Sequence, residues 1–459
     1  MFAGPRGGLT APLTWGQRAI WEVVNWLGPQ AASLNLLEIC PVDGGTGRTA
    51  LAEALRRLVE RHESLRTRFT DTEDGPEQLL TRAGTLTFAV HESLADDRDA
   101  TVRRVARELS ARAFTPRELP LRAAAVAEDG VITTIVLVVS HLAVDGWSIK
   151  IVRQELLDAL RGADLPPLAQ QPVERARWEQ SAPARARERA AFDHWAAATR
   201  EVPRIWLEAL PRTGPDDLLC SEIASPALGR AVGALAGRYR LTRSMVVQAG
   251  TALALGRALG ENDVALRLIV ATRYTAETTR FVGPFNQNAL LRIRLHDESA
   301  GEFLARVRRA ALAALSASEY DPVALEELVA ATAAERGFPA DGYCFVNDVG
   351  SYVPPGAAAR AAEQAPGTPD DSDPDSDAAA LAGVVTDRPP LTDPKGANLF
   401  LYVHELGART RLSVVAHRGF LPPGGTTRFL RDLEWLLLEA DRTGAGPAAL
   451  ARAYAARHR

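Results

Sequence analysis

The sequence predicts an α/β protein of the α+β type, with its 459 residues divided between two lobes. Apolar residues with helical spacing alternate with short β-branched runs in both halves of the chain. The length exceeds what one ordinary core serves, because domains usually hold roughly 100 to 200 residues. Residues 166–189, rich in Pro, Gln, Ala and Arg, are typical of a connection. We therefore expect an N-terminal lobe over residues 1–175 and a C-terminal lobe over residues 176–459.

The first half mixes helices with short strands. Thr14-Trp15-Gly16-Gln17 fits a capping box, in which the first and fourth side chains bond each other's backbone N–H groups. The remaining helices are predicted at residues 49–62 and 101–112 and from about Gly146. Strands are predicted at residues 34–40, around Phe69, Leu79 and Phe88, and at 121–127 and 131–139. A buried strand leading directly into a helix thus closes this half.

The second half repeats this mixture of elements. A helix is expected to resume at Ala182, and Ser299 to Glu302 forms a second capping box. Further helices are predicted at residues 228–239, 242–259 and 427–440, and strands near Ile223 and at 264–271, 288–295, 399–404 and 412–417. Residues 354–398 include a strongly acidic run and few apolar residues. Because such a segment buries too little surface to offset its ordering entropy, we expect a mobile loop.

The overall composition limits the classes of partner and the cellular location that we expect. With 46% hydrophobic and 24% charged residues the chain is typical of a globular protein, and its net charge of −4 argues against nucleic acid as a partner. The sequence contains neither a signal-like N-terminus nor an apolar run of membrane-spanning length, so we expect a cytoplasmic protein without a membrane partner. The three cysteines form no metal-ligand spacing with each other or with histidines, and no metal site is predicted.

The segment from Val139 to Ser148 carries the clearest chemical signal. It places His141 and Asp145 four residues apart, between a strand and the start of a helix. An imidazole titrates near neutral pH, and helix N-terminal amides stabilise negative charge, a combination suited to acyl transfer. Asp145 also suits the N-cap of the helix. Taken alone, a histidine in such a turn is more often structural than catalytic, and an aspartate before a helix is usually only a cap.

A second signature lies at residues 61–69, Arg-His-Glu-Ser-Leu-Arg-Thr-Arg-Phe. Together with the His141 segment it resembles the condensation domains of nonribosomal peptide synthetases, whose motifs read RHExLRTxF and HHxxxDG. Fainter similarity begins near Leu13 and continues through Val282-Gly283-Pro284-Phe285. Two departures stand out: Ser140 replaces the first His, and Asn286-Gln287-Asn288 replaces the VNT that follows in the family.

This resemblance implies two chloramphenicol-acetyltransferase-like lobes in a V, each a mixed sheet with flanking helices, with a tunnel meeting at the core motif. The family holds no cofactor permanently. Its donor acyl group arrives on the phosphopantetheine arm of a peptidyl carrier protein, which here would be a separate protein acting in trans. The acceptor is a small-molecule or carrier-bound amine or hydroxyl, so the product is an amide or an ester.

The resemblance also assigns roles to individual residues. His141 is the expected catalytic residue, with Gly146 making room for the acyl group and offering its N–H. Asp145 is expected to pair with an arginine that fixes the loop, either Arg66 or Arg273. Support for the active-site loop is further expected from Ser140, Arg61 and His62. The expected lining of the tunnel is Trp147, Phe285 and Asn286.

Three functions remain open from the sequence. The leading one is a free-standing condensation enzyme of natural-product biosynthesis. A CoA-dependent acyltransferase is the second, because HxxxD is shared across the wider superfamily. The third is a non-catalytic recruitment module that keeps the lobes and binds partner proteins, for which Ser140 gives some support.

Overall fold

The computed structural model describes residues 1–168, 170–211, 217–273, 275–350, 384–387 and 396–457. Its buried apolar residues fall into two principal cores, one in each half of the chain. Val282, from the second half, nevertheless packs within the N-terminal core. The predicted α/β mixture is confirmed, and the two cores are joined at this point.

The strands of the first half form a four-stranded, a three-stranded and a two-stranded sheet, ordered β3-β9-β8-β7, β2-β5-β4 and β1-β6. Their bounds are β1 Phe2–Ala3, β2 Leu9–Pro12, β3 Leu36–Thr46, β4 Thr67–Thr72, β5 Gly75–Leu80, β6 Ala83–Gly84, β7 Phe88–Glu92, β8 Leu121–Glu128 and β9 Val131–Val139. The helices are α1 Trp15–Leu27, α2 Arg48–Arg61, α3 Arg98–Ser110 and α4 Ser148–Leu160, with 3-10 turns at Gly28–Leu34, Glu63–Arg66 and Ala95–Asp97.

Strands of the second half form one seven-stranded mixed sheet, ordered β12-β11-β13-β15-β16-β10-β14. They span β10 Leu218–Ser225, β11 Asp263–Ala271, β12 Asn286–Arg294, β13 Tyr343–Asp348, β14 Val384–Asp387, β15 Ala397–Leu406 and β16 Thr410–His417. The helices are α5 Pro172–Glu179, α6 Ala182–Glu201, α7 Pro226–Tyr239, α8 Arg243–Leu259, α9 Ala276–Thr279, α10 Ala300–Ser316, α11 Pro322–Ala334, α12 Gly425–Thr443 and α13 Pro447–Arg457, and a 3-10 turn covers Arg204–Trp206.

Both predicted capping boxes are present. Thr14 accepts a hydrogen bond from the Gln17 N–H, and Gln17 accepts one from the Thr14 N–H. Ser299 and Glu302 bond in the same reciprocal way at the start of α10. The predicted strand Val131–Val139 is confirmed residue for residue. These elements agree because each depends on side chains that are close in sequence.

One prediction about an irregular segment needs correction, and a second such segment contains a helix that was not predicted. Part of the expected mobile loop at residues 354–398 is regular: Val384–Asp387 pairs with β10, and β15 begins at Ala397. Residues 354–383 and 388–395 lie outside the described residues. The expected connection at 166–189 contains α5, opened by Pro172 and a Gln171–Glu174 capping box. Proline at the first position of a helix and a polar cap before it both favour a helix start, although the segment's Pro- and Gln-rich composition suggested a connection. The predicted lobe boundary at residue 175 falls inside this helix.

Candidate active site

The loop between β9 and α4 contains the predicted site. Backbone N–H groups of Ala143 and Val144 both donate to the Ser140 carbonyl, which closes a tight turn directly after the buried strand. The Ser140 hydroxyl accepts from the Leu142 N–H at 3.3 Å. Helix α4 begins at Ser148, two residues later than predicted, because residues 146–147 form a turn. His141 is half-buried in this loop, while residues 142–145 after it are buried.

His141 is held in one orientation by its own loop. Its Nδ1 lies 2.8 Å from the Val144 carbonyl oxygen. Because a carbonyl only accepts, Nδ1 carries the proton, and the lone pair is on Nε2. Burial lowers the pKa of His141, an effect that the nearby Asp145 charge only partly opposes. The imidazole is therefore neutral at neutral pH, with Nε2 able to accept a proton.

Asp145 is the centre of a buried ion pair that joins the two lobes. Arg273, which follows β11, donates to its carboxylate at 2.6 and 3.0 Å, and both side chains are 2% exposed. The carboxylate also accepts from the N–H groups of Ser148 at 2.8 Å and Phe285 at 2.9 Å. Burial alone would raise the pKa of Asp145, but Arg273 and these donors outweigh it and lower the pKa. The carboxylate is thus ionised and fully bonded, as a structural role requires.

Helix α9 and the residues that follow it, up to Phe285, supply the other side of this junction. The indole N–H of Trp147 donates to the Thr279 carbonyl at 2.9 Å. Arg273 donates to the Gly283 carbonyl at 2.9 Å, and the ring of Phe285 packs against Phe281 with centroids 4.5 Å apart and planes tilted by 33°. Trp147 is half-buried and Phe285 is buried. The active-site loop is therefore bonded to the C-terminal lobe at Asp145, through Arg273 and the Phe285 N–H, and at Trp147, through the Thr279 carbonyl.

The second predicted motif, residues 61–69, contacts the helix that follows the His141 loop. Arg61 and His62 both bond Glu155 of α4 at 2.7 Å. Burial alone would raise the pKa of Glu155, but His62 and Arg61 outweigh it and lower the pKa to about 2. Arg61 and His62 thereby anchor the helix that follows the His141 loop.

Arg66 does not pair with Asp145, so that alternative is wrong. It is fully buried, and its guanidinium donates to the carbonyls of Arg6 and Thr81 at 2.7 Å. These two partners lie in the chain just before β2 and just after β5, the neighbouring strands of the three-stranded sheet. Arg66 stabilises the N-terminal lobe rather than the active-site loop.

The remaining predicted residues lie close to the junction. Gly146 is half-buried in the turn before α4, and Asn286, also half-buried, is the first residue of β12, next to Phe285. Sequence reasoning missed Glu155 and Ser148. Glu155 carried a usable signal, because it lies between Val152 and Leu156 on the apolar face of its helix, where a carboxylate needs a buried partner.

Two further properties constrain the site. Among the described residues, no group of His, Cys, Asp and Glu is arranged to hold a metal ion. In the same part of the chain, no helix is both long and apolar enough to cross a membrane.

The family match and the similar proteins of known name point to the same protein family. The condensation domain model matches residues 9–338. Chondramide synthase cmdD of Chondromyces crocatus is 26% identical over 340 residues, covering 71% of this chain and 9% of that protein. The isonitrile lipopeptide synthase of Mycobacterium tuberculosis is 29% identical over 329 residues, covering 66% of this chain and 13% of that protein. The chain thus spans only a small fraction of the length of these relatives.

Solved structures agree on the fold. The starter condensation domain of rhizomide synthetase RzmA superimposes with a TM-score of 0.70 at 16% identity, covering 95% of this chain and 96% of that one. The SgcC5 protein from Streptomyces globisporus gives 0.67 at 21% identity, covering 95% and 100%. The family match spans most of the sequence, and the architecture is shared across nearly its whole length. The chain therefore belongs to the condensation domain family.

Proposed function

We propose that this protein is a free-standing condensation enzyme of natural-product biosynthesis, with His141 as its general base. It would transfer an acyl or aminoacyl group from a phosphopantetheine thioester to an amine or hydroxyl. The observation that carries the proposal is the 2.8 Å contact between His141 Nδ1 and the Val144 carbonyl, which leaves Nε2 to accept a proton. Neutral imidazole at this position matches what the reaction requires.

The proposed reaction has two steps. Nε2 of His141 takes the proton of the attacking amine or hydroxyl as the nucleophile bonds to the thioester carbonyl carbon. The tetrahedral oxyanion then collapses, the carbon–sulfur bond breaks, and the departing thiolate receives the proton from the imidazolium. The N–H of Gly146, close to the N-terminus of α4, would donate to the oxyanion. This scheme uses no permanently bound cofactor.

Asp145 acts through the loop in this scheme. Its carboxylate is occupied by Arg273, Ser148 and Phe285, so it holds the loop instead of contacting substrate. Trp147, Phe285 and Asn286 would line the tunnel where the two lobes meet. The donor would arrive on a peptidyl carrier protein supplied as a separate chain, and the acceptor would be a small molecule or a second carrier-bound group.

The test compares His141→Ala with wild type in forming product from an aminoacyl-carrier thioester and an amine acceptor. Removing a general base is expected to lower the rate by about 10² to 10⁴-fold. His91→Ala, in β7 of the N-terminal lobe, serves as a matched control and should keep full activity. Full activity of His141→Ala would contradict the proposal, and tight carrier binding without turnover by wild type would favour a recruitment module.

A CoA-dependent acyltransferase is the second candidate, favoured by one specific observation. The structure of the RzmA starter condensation domain, which shares this fold, is a complex with C8-CoA. The experiment offers wild-type protein the same acyl group on CoA and on a carrier protein. A higher kcat/KM for the carrier thioester supports the leading proposal, and a higher value for the CoA thioester overturns it.

A further inference from the structure

One peptide group connects His141 to the start of helix α4. Its carbonyl oxygen, from Val144, lies 2.8 Å from His141 Nδ1 and accepts the ring proton. Its N–H, from Asp145, donates to the Ser148 hydroxyl at 2.8 Å. Because a peptide group is planar, its C=O and N–H keep a fixed orientation relative to each other. The hydrogen bond to Ser148 on one side of the peptide group therefore sets the direction of the carbonyl that holds the imidazole.

The Ser148 hydroxyl has a defined direction of its own. Its oxygen lies 2.8 Å from Asp145 Oδ1 and 3.2 Å from the Gly283 carbonyl oxygen. A hydroxyl has one proton to donate, and the charged acceptor at the shorter distance receives it. The Gly283 carbonyl accepts from Arg273 at 2.9 Å instead. The hydroxyl thus donates to the carboxylate of Asp145 and accepts from the N–H of the same residue.

These three hydrogen bonds form a continuous chain from an imidazole to a carboxylate. The chain runs from His141 Nδ1–H through the peptide group to the Ser148 hydroxyl, and it ends on Asp145 Oδ1. Val144, Asp145 and Ser148 are at most 1% exposed, so water does not compete for these bonds. In such surroundings each hydrogen bond polarises the next. The chain therefore stabilises the positive charge that His141 acquires when it takes a proton.

We infer that Ser148 is a positioning residue for acyl transfer, which orients the His141 imidazole through the peptide group between Val144 and Asp145. The inference rests on the proposed function, in which His141 Nε2 accepts the proton of the nucleophile. Ser148 is fully buried and would not contact the substrate. Its hydroxyl fixes the carbonyl that keeps the proton on Nδ1, and it links the Asp145 carboxylate to the imidazole.

The test removes the hydroxyl and follows the rate of reaction and the tautomer of His141. Ser148→Ala loses the side-chain bonds but keeps the backbone N–H that donates to Asp145. Ser148→Cys keeps the shape of the side chain with a weaker donor and acceptor. The deciding variant is Ser148→Ala if thermal melting shows that it folds, and Ser148→Cys otherwise. The matched control is Ser225→Ala, a buried serine before α7 whose hydroxyl likewise accepts a helix N–H and bonds a buried carboxylate.

Steady-state kinetics with an aminoacyl-carrier thioester separate orientation of the base from stability. We expect the deciding variant to lose about threefold to tenfold in kcat, the factor that one hydrogen bond contributes, with KM unchanged. Ser225→Ala should also melt at a lower temperature than wild type, but it should keep the wild-type kcat. Wild-type kcat in the deciding variant, or an equal loss in Ser225→Ala, would overturn the inference.

The tautomer of His141 gives a readout that needs no turnover. Protein with isotopically labelled histidine is measured by long-range proton–nitrogen NMR at neutral pH, and the His141 signals are those missing in His141→Ala. Wild type and Ser225→Ala should show the Nδ1–H form, and the deciding variant should show a fraction of the Nε2–H form. Absence of product even with wild type would refute the proposed function alone. An unchanged tautomer in the deciding variant would overturn the role of Ser148.

Discussion

Removing the guanidinium of Arg273 should destabilise the protein and impair its site together. In Arg273→Ala, the Asp145 carboxylate stays buried without its two charge-assisted hydrogen bonds, at 2.6 and 3.0 Å. Because both side chains are 2% exposed, solvent screens the pair little. Breaking such a buried pair costs about 3 to 5 kcal/mol. The free energy of unfolding, measured by urea denaturation at pH 7, should fall by that amount.

A double-mutant cycle separates the pair from the rest of the arginine side chain. Asp145→Ala with Arg273→Ala should cost less than the sum of the two single changes, because no unpaired charge remains. Arg104→Ala breaks an exposed pair with Glu108 on α3 and serves as the control, with an expected cost of about 0.5 kcal/mol or less. A loss below about 1 kcal/mol in Arg273→Ala, or additive single effects, would refute the reasoning.

Three further predictions follow from the neighbouring contacts. The folded-state pKa of Glu155, about 2, lies below its ordinary 4.5, so its stabilisation is present above pH 4.5 and is lost as pH falls toward 2. Glu155→Gln should flatten the acid limb of stability in that window and be less stable at pH 7, as urea titrations at several pH values would show. Within α5, Arg175 donates to the buried Glu179 carboxylate at 2.8 Å. Burial nevertheless raises the pKa of Glu179 to about 7, so its contribution is fully present below pH 4.5 and is lost as pH rises through 7. Glu179→Gln should reduce the decline in unfolding free energy between pH 4.5 and 7; an unchanged slope would contradict this. Trp147→Phe removes the 2.9 Å bond to the Thr279 carbonyl and should cost about 1 kcal/mol, with reduced acyl transfer; wild-type values in both measurements would show that this contact does not hold the loop.

Local sequence signals predicted much of the framework. Thr14 and Gln17, or Ser299 and Glu302, specify a helix start through side chains three residues apart, and the β-branched run at 131–139 specifies a buried strand. Strand β14 was not predicted because it has only four residues and follows an acidic stretch. Its extended conformation is fixed by pairing with β10, which is distant in sequence.

The side-chain pairs within the site depend on packing between residues that are distant in sequence. Asp145 required an arginine, but the sequence could not choose between Arg66 and Arg273, because the pairing spans 128 positions. The structure selects Arg273, since β11 ends beside the loop. Glu155 was missed because helical periodicity marks the buried face without identifying a buried partner.

The most direct test of the central claim is the pH dependence of kcat/KM for acyl transfer with an acceptor whose own protonation does not change over the range. Burial lowers the pKa of His141, so we predict a rate that is constant at neutral pH and falls tenfold per unit only below a pKa under 6.5. His141→Ala should lose this limb together with at least about 10²-fold of the rate. Retention of the same limb and the full rate in His141→Ala would contradict the assignment of His141 as the base.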